Sequence, residues 1–510
     1  MNQSIKSKIL LLGELINRVE HLKKEGKVVV QSHGIFDLVH PGIVSHLNSA
    51  KKQGDVLVVT VIRDKDVHRG PGRPIFPENL RAETVASLEL VDYVCLVDDE
   101  IPFECVKKIN PDIFARGQAF KERYQKIHEK IFQEEKDFYL GKCKIYETGG
   151  FSFSSSKIIN NFLEIYPEET KIFLKNFSRK YSFENILEWL NSLKNQNVFI
   201  IGDGIIDEYH YCDALGKSGK AHLVVNKYLH HEVFAGGAFA VANHVSGLCD
   251  RVQLLTLLGK EDSRENFILE HLKPNINLKT FFREDGPTTI KKRYINEYQN
   301  LKLFEINYLN DKYINKDIEQ EVIDYLRSEL PKYDLTLISD YGHGFITGKV
   351  IEIIKKNSKV LAVNAQTNSA NVGYNLITKY QNPDYVCLAE AELRLASQDK
   401  YSDVKDIAKK ILEAVHTECL IVTLGKNGSF GVDNKGGMNK TPIFSSKVVD
   451  TIGAGDAFFA FSSSCFGKGM PLDIISFIGN AVGALAVQIT CNKKPIEKYE
   501  LLEFIHALLE

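Results

Sequence analysis

Near the end of the chain stands Asp450-Thr451-Ile452-Gly453-Ala454-Gly455-Asp456, followed at once by an apolar run from Ala457. Glycines at a helix start relieve Cβ clashes, so several backbone N–H groups can converge on one anion. In such a turn Asp456 can take the proton of a hydroxyl attacking ATP. The N–H groups around Gly453, Ala454 and Gly455 would stabilise charge on the phosphoryl group in transit. The plainer alternative is a glycine-rich turn with an aspartate near a helix N-cap.

A second candidate lies near the other end, in Ser32-His33-Gly34-Ile35-Phe36-Asp37-Leu38-Val39-His40-Pro41-Gly42-Ile43. It follows a β-rich run and opens a helix, with Pro41 suited to the first helical turn. Gly34 and Gly42 would let backbone approach a triphosphate, and His40 can hydrogen-bond a phosphoryl oxygen. The alternative is an ordinary strand-to-helix turn with a surface histidine. His46, one turn beyond Ile43, reads as a solvated helix-face histidine.

Short β-rich runs alternate with helical patterns around both candidates. Strands are expected at 27–31, 55–61, 92–97 and 113–116, with a helix over 41–53. Nearly continuous apolar strands separated by helices imply parallel sheets covered on both faces. From Asn161 to Asn195 the pattern is helical, charged and aromatic. A second series of strands follows at 197–201, 253–256, 335–339, 360–363 and 419–423. The fold class is therefore α/β with two doubly wound domains. The expected organisation is an N-terminal helix over 1–25, a first domain over 26–165, a helical linker over 166–192 and a second domain over 193–510.

Other chemistries are excluded or weakened. Lys+Arg number 64 and Asp+Glu 66, so the net charge of −2 gives no electrostatic case for nucleic acid or an anionic membrane as partner. The nine cysteines form no C-x-x-C pair and read as buried hydrophobes in a reducing compartment. No apolar run approaches a membrane span, and the N-terminus does not read as a signal peptide, so a cytosolic protein is expected. His230-His231 lacks metal-ligand spacing and reads as surface. Gly202-Asp203-Gly204-Ile205-Ile206-Asp207 imitates a dinucleotide fingerprint, but its third glycine is replaced by Asp207, which would repel a pyrophosphate. A dinucleotide-dependent oxidoreductase thus rests on a decoy, and no G-x-x-x-x-G-K-[ST] loop occurs.

The first segment resembles the G-x-F-D-x-x-H-x-G-H signature of the cytidylyltransferase-like nucleotidyltransferases. Gly70-Pro71-Gly72-Arg73-Pro74 and Asn79-Leu80-Arg81-Ala82-Glu83 resemble that family's substrate loop and the arginine helix after it. Asn110 to Gly117 resembles its P-D-x-x-V-K-G segment, and Phe153-Ser154-Ser155-Ser156-Lys157-Ile158 its I-S-S-T-x-I motif. The resemblance implies a Rossmann-like domain that binds nucleotide through Gly34, Phe36, Gly42, Arg116, Ser154, Ser155 and Ser156, with His40 catalytic. Ile43 stands where the family has its second histidine, Arg116 replaces a lysine, and Ala119 stands where an aspartate is frequent.

The second segment resembles the D-T-x-G-A-G-D motif of the ribokinase/phosphofructokinase-B sugar kinases. Asp207 after the first strand, the turn Ala235-Gly236-Gly237-Ala238, Ser339-Asp340-Tyr341-Gly342-His343-Gly344 and Thr423-Leu424-Gly425-Lys426-Asn427-Gly428 occur in family order. The resemblance implies Asp456 as the catalytic base and an ATP site at Thr423, Gly425, Gly428, Gly453, Ala454 and Gly455. It implies sugar binding by Asp207, Gly236, Gly237 and Asp340, and Mg2+ organised by Glu392. Ala389 replaces the asparagine of the family's N-x-x-E, Ala240 a common asparagine, and His343 a lysine. Arg283, Lys291, Lys292 and Arg293 suit either a substrate phosphate or a solvated strand end.

A nucleotidyltransferase joined to such a kinase resembles the bifunctional enzymes that make nucleotide-activated heptose for bacterial surface polysaccharide, in reversed domain order. That implies ATP-dependent phosphorylation of a sugar or sugar phosphate, then nucleotidyl transfer from ATP or CTP, with Mg2+ as cofactor and a homo-oligomeric assembly. The alternative is a sugar kinase whose N-terminal domain binds nucleotide without transferring it, which Ile43 favours.

Overall fold

In the computed structural model, the described residues are 3–99, 101–139, 142–149, 158–160, 165–445 and 447–510. The chain forms two compact units, residues 1–174 together with 499–510, and residues 175–498.

In the first unit, β1 (Val29–Gly34), β2 (Val56–Ile62), β3 (Tyr93–Val97), β4 (Ile113–Gly117) and β5 (Lys144–Thr148) form a parallel sheet in the order β3-β2-β1-β4-β5. Side chains alternate along each strand, and both faces are apolar. Val30, Leu57 and Val59 pack with Leu47 and Val85 on one face, while Val29, Val58 and Phe114 pack with Leu15 and Val106 on the other. Strand order reverses between β1 and β4, so the crevice for a ligand opens beyond their carboxyl ends.

The C-terminal helix Lys498–Leu509 departs from the expected domain division, because residues 499–510 pack with the first unit, not the second. Its signal is hard to read in sequence, since any amphipathic terminal helix suits either domain. Phe504 lies over Gly70, where a Cβ would come within 2.0 Å of the ring. The buried Glu503 is ion-paired with Arg69 at 3.0 Å, Arg123 at 3.4 Å and His128 at 3.6 Å.

In the second unit the strands in chain order are β6 (Asn197–Gly202), β7 (Gly204–Lys217), β8 (Val224–Gly237), β9 (Arg251–Glu261), β10 (Ile276–Pro287), β11 (Ile290–Asn296) and β12 (Leu301–Tyr308). They continue with β13 (Leu335–Asp340), β14 (Leu361–Ala365), β15 (Tyr385–Ala389), β16 (Cys419–Thr423), β17 (Ser429–Asp433) and β18 (Met438–Thr441). A nine-stranded sheet runs β10-β9-β6-β13-β14-β15-β16-β17-β18, parallel up to β16, with β17 and β18 antiparallel. A separate four-stranded sheet runs β12-β11-β7-β8.

The chain passes from the large sheet to the small one through Gly202-Asp203-Gly204. A Cβ on Gly202 would lie 2.2 Å from the Ser339 carbonyl, and one on Gly204 would lie 2.3 Å from the Phe239 ring. The dinucleotide-like glycines therefore serve a sheet crossover. The expected strand at 253–256 is the middle of the much longer β9. Helices Glu168–Lys180 and Phe183–Ser192 occupy the expected helical connector.

All nine cysteines are buried and unpaired. No helix among the described residues is long and apolar enough to cross a membrane.

Candidate active sites

In the second unit, β6, β13, β14, β15 and β16 are parallel, so their carboxyl ends share one edge. Tyr341 follows β13, Gln366 follows β14, Glu392 lies in the helix after β15, and Thr423, Gly425 and Gly428 close β16. This is the edge at which an open α/β sheet binds ligands.

Asp456 enters on the buried helix Ala454–Gly467, whose first turn leaves N–H groups without helical carbonyl partners. Gly453 begins that helix at φ +87°, and a Cβ there would lie 2.3 Å from Asn492 Oδ1. The Tyr341 hydroxyl donates to Asp456 Oδ1 at 2.5 Å, and Gln366 Nε2 donates to the same oxygen at 3.1 Å. Burial pushes the Asp456 carboxyl up to about 6, against the lowering effect of the Tyr341 hydrogen bond. That value suits a base working near neutrality.

Asp207, on β7, is 4% exposed and ion-paired with Arg293 of β11. Its carboxylate lies against β8, where a Cβ on Gly236 would come within 2.0 Å of Oδ2. Gly237 turns the chain at φ +57° into the helix Ala238–Ser246. Lys291 sits opposite Asp207 across the β7–β11 pair, with its ammonium 5.6 Å from the centre of the Tyr341 ring, and burial lowers its pKa.

The four expected cations therefore separate. Lys291 and Arg293 lie on the Asp207 side of the sheet. Lys292 pairs with Glu208 at 3.2 Å on the other side, and Arg283 is tied to Asp285 at 2.8 Å and to two backbone carbonyls. Asp450 joins the small sheet to the glycine loop, accepting from Tyr209 at 2.7 Å and Lys302 at 2.6 Å while bonding the Ile452 and Cys491 N–H groups.

Two expected site residues are strongly engaged within the protein. Asp340 is 1% exposed and bonded to Tyr380 at 2.6 Å, Lys379 at 2.5 Å and the Gly342 N–H at 2.9 Å, so it braces the turn after β13. Glu392 accepts the Ala389 N–H at 2.7 Å on one oxygen and the Thr367 N–H at 3.1 Å on the other, which fixes its carboxylate at a helix start. Burial pushes it up to about 7. Among the described residues, no three His, Cys, Asp or Glu side chains converge as a metal site.

His343 is buried, and its pKa is pushed down to about 4, chiefly by burial. Neither of its ring nitrogens has a hydrogen-bond partner among the described residues. His230 and His231 are exposed, as expected.

In the first unit, Gly34 ends β1 and Phe36 follows at φ +54°, 8% exposed. Asp37 accepts the Ile75 N–H at 2.8 Å and the Phe76 N–H at 2.9 Å, fastening the first motif to the chain just after the Gly70–Pro74 loop. His40 caps the helix Pro41–Lys51, its Nδ1 accepting the Gly42 N–H at 3.1 Å. Burial lowers its pKa, so the neutral ring carries its proton on Nε2.

Arg116 closes β4, 6% exposed, 3.5 Å from Glu147 and over the Phe132 ring. Arg81 is a brace, donating to the carbonyls of Ile35, Ile62 and Phe76. Ser154, Ser155 and Ser156 lie outside the described residues.

His46 differs from expectation. It is not solvated: Ser32 Oγ lies 2.8 Å from Nε2 and Thr148 Oγ1 lies 2.7 Å from Nδ1. Burial pushes its pKa down to about 4, so it bridges β1 and β5 as a neutral ring. Ile43 packs against the apolar cluster of Val30 and Leu47. Sequence reasoning missed Gln366, Lys302, Lys379 and Glu503, which belong to no recognisable motif.

These two sites sit in folds that define a carbohydrate kinase and a nucleotidyltransferase-like unit. Residues 195–497 match the model of the pfkB family carbohydrate kinases, more than half of the 510 residues, so the chain belongs to that family. Residues 32–161 match the cytidylyltransferase-like family.

Among curated relatives, the bifunctional protein HldE of Nitratiruptor is 41% identical over 133 residues, covering 25% of this chain and 28% of that protein. HldE of Rhodopseudomonas palustris is 26% identical over 321 residues, covering 62% and 64%. In both, the match spans less than two thirds of the relative's length. Phosphofructokinase-2 of Escherichia coli in complex with fructose-6-phosphate superposes with a TM-score of 0.51 at 14% identity, over 62% of this chain and 100% of that one. At that identity the likeness concerns the fold alone.

Proposed function

We propose that the chain is a bifunctional carbohydrate-activating enzyme: an ATP-dependent kinase for a sugar or sugar phosphate, and a nucleotidyltransferase that moves a nucleotide from ATP or CTP to a sugar phosphate. The observation that carries the kinase half is Asp456, a buried carboxylate at a helix start with one oxygen pinned by Tyr341 and Gln366. The acceptor hydroxyl would lie between Asp456 and Asp207, lose its proton to Asp456 and attack the γ-phosphoryl group of ATP. The Gly453–Asp456 N–H groups would balance the growing charge.

Thr423, Gly425 and Gly428 hold the nucleotide in this reading. Glu392 would organise Mg2+ on the phosphates of ATP, since each of its oxygens keeps a lone pair beyond the backbone N–H bond it accepts. In the first unit, His40 would donate from Nε2 to a phosphoryl oxygen, with Gly34, Phe36, Gly42 and Arg116 around the triphosphate. The matches to both families and the HldE relatives support pairing these activities. A homo-oligomer in the cytoplasm, serving nucleotide-sugar and surface polysaccharide synthesis, completes the proposal.

Asp456→Asn is the test of the kinase site. It should lower kcat by about 10²-fold or more while ATP affinity stays within a few-fold. Near-normal turnover would remove Asp456 from the mechanism.

A further inference from the structure

We propose that Tyr341 is the positioning residue of the phosphotransfer base: its hydroxyl, helped by Gln366, fixes one oxygen of Asp456 so that the other faces the acceptor hydroxyl, and it keeps the base ionised at neutral pH. The proposal rests on Asp456 acting as the base.

Three observations carry it. First, both donors converge on Asp456 Oδ1, Tyr341 at 2.5 Å and Gln366 at 3.1 Å, and Gln366 Nε2 also reaches the Tyr341 oxygen at 3.2 Å. Asp456 Oδ2 accepts no hydrogen bond among the described residues. A carboxylate held through one oxygen cannot rotate, so Oδ2 keeps a fixed direction for a proton coming from substrate.

Second, Tyr341 is itself anchored along its backbone. Its N–H donates to Asp203 Oδ2 at 2.9 Å, and its carbonyl accepts from Asn368 at 2.7 Å and Asn371 at 2.6 Å. Asn371 and Gln366 come from the chain after β14, so two strand ends of one rigid sheet hold the base between them.

Third, the direction of the hydrogen bond is settled. Burial raises the Tyr341 hydroxyl well above its ordinary range, so it stays protonated and must be the donor. A hydroxyl donating to a carboxylate favours the ionised form. The charged and titratable groups acting on Asp456 are Tyr341 of the turn after β13, Asp207 of β7, Lys291 of β11 and Glu392 of the helix after β15. Burial and the two carboxylates push toward the protonated acid. Tyr341, Gln366 and Lys291 push back.

The test uses the full chain carrying Tyr341→Phe, with Gln366→Met as a second variant in case the first does not fold. The Asp456 carboxyl is followed directly by infrared difference spectroscopy against pH, with Asp456→Asn as the blank. ADP release with a panel of sugars and sugar phosphates is followed in parallel.

In Tyr341→Phe the carboxyl midpoint should rise by about one pH unit or more, the scale of a lost charged hydrogen bond. The acid limb of kcat should move with it, activity should recover toward alkaline pH, and KM values should stay within threefold. Gln366→Met should give a smaller rise in the same direction. A midpoint unmoved in a folded variant, or a loss of kcat equal at every pH, would mean that Tyr341 only fills space. If Asp456→Asn turns over normally, the base assignment fails, while the spectroscopic midpoint still decides whether Tyr341 controls Asp456.

Discussion

Glu503, seven residues from the end of the chain, is ion-paired at 3.0 Å with Arg69, which immediately precedes the Gly70–Pro74 loop. Both residues are buried, at 3% and 7% exposure. A second connection runs parallel to it: Arg73 donates to Asn160 at 2.6 Å, and Asn160 donates to the Ala507 carbonyl at 2.8 Å. The last helix therefore secures Arg69 just before the loop and, through Asn160, Arg73 within it.

Glu503→Gln should destabilise the first unit by about 3 kcal/mol or more, because it leaves buried cations without their counter-charge. Burial alone would raise the Glu503 carboxyl, but Arg123, Arg69 and a hydrogen bond from His128 outweigh it and hold it far below the usual range. A folded-state pKa below the unfolded value of about 4.3 means stability present above that pH and lost as pH falls further. Urea unfolding at pH 7 and pH 3 checks this: the gap between wild type and variant should narrow at the lower pH. A constant gap would show that the charge contributes nothing.

Asp207→Ala should weaken binding of the sugar acceptor by about 1.5–3 kcal/mol, the range for hydrogen bonds to charged groups. Among the described residues it also leaves Arg293 paired with Glu305 alone, 2.7 Å away. Calorimetric titrations with sugar and with ATP, run on the same folded variant, separate the outcomes. Equal loss of both affinities would remove Asp207 from the sugar site.

The two large sheets were legible in the sequence, because continuous apolar strands act locally, whereas the four-stranded sheet β12-β11-β7-β8 was not. The strands 419–423 and 335–339 were read closely for that reason. What was not legible depends on partners distant in sequence. Lys379 and Tyr380, the partners that hold Asp340, carry no motif that points to it. His46 looks solvated until β5 brings Thr148 to it from 102 residues away. Gln366 carries no motif and acquires meaning only because β14 ends beside Asp456.

Ile43 offers no hydrogen-bond donor, and its packing against Val30 and Leu47 keeps it so. His46 cannot replace it as a cationic donor, since burial holds it neutral near neutrality and hydroxyls occupy both its nitrogens. Ile43→His in the full chain should therefore speed pyrophosphate release, by up to the 10²–10³-fold of a typical preorganised donor (about 2.7–4 kcal/mol). The full chain is needed because residues 499–510 belong to this unit. An unchanged rate would mean that the wild-type site already supplies the donor from another group.

Two chemistries on one chain can be read in a single experiment: the full protein is incubated with Mg2+, ATP, CTP and a panel of sugars and sugar phosphates, and all products are identified by mass. A phosphorylated sugar should form and be lost in Asp456→Asn, together with a nucleotide sugar and pyrophosphate that persist in that variant when sugar phosphate is supplied. A phosphorylated sugar with no nucleotide sugar from either triphosphate would contradict the bifunctional reading and leave a kinase with a nucleotide-binding partner domain.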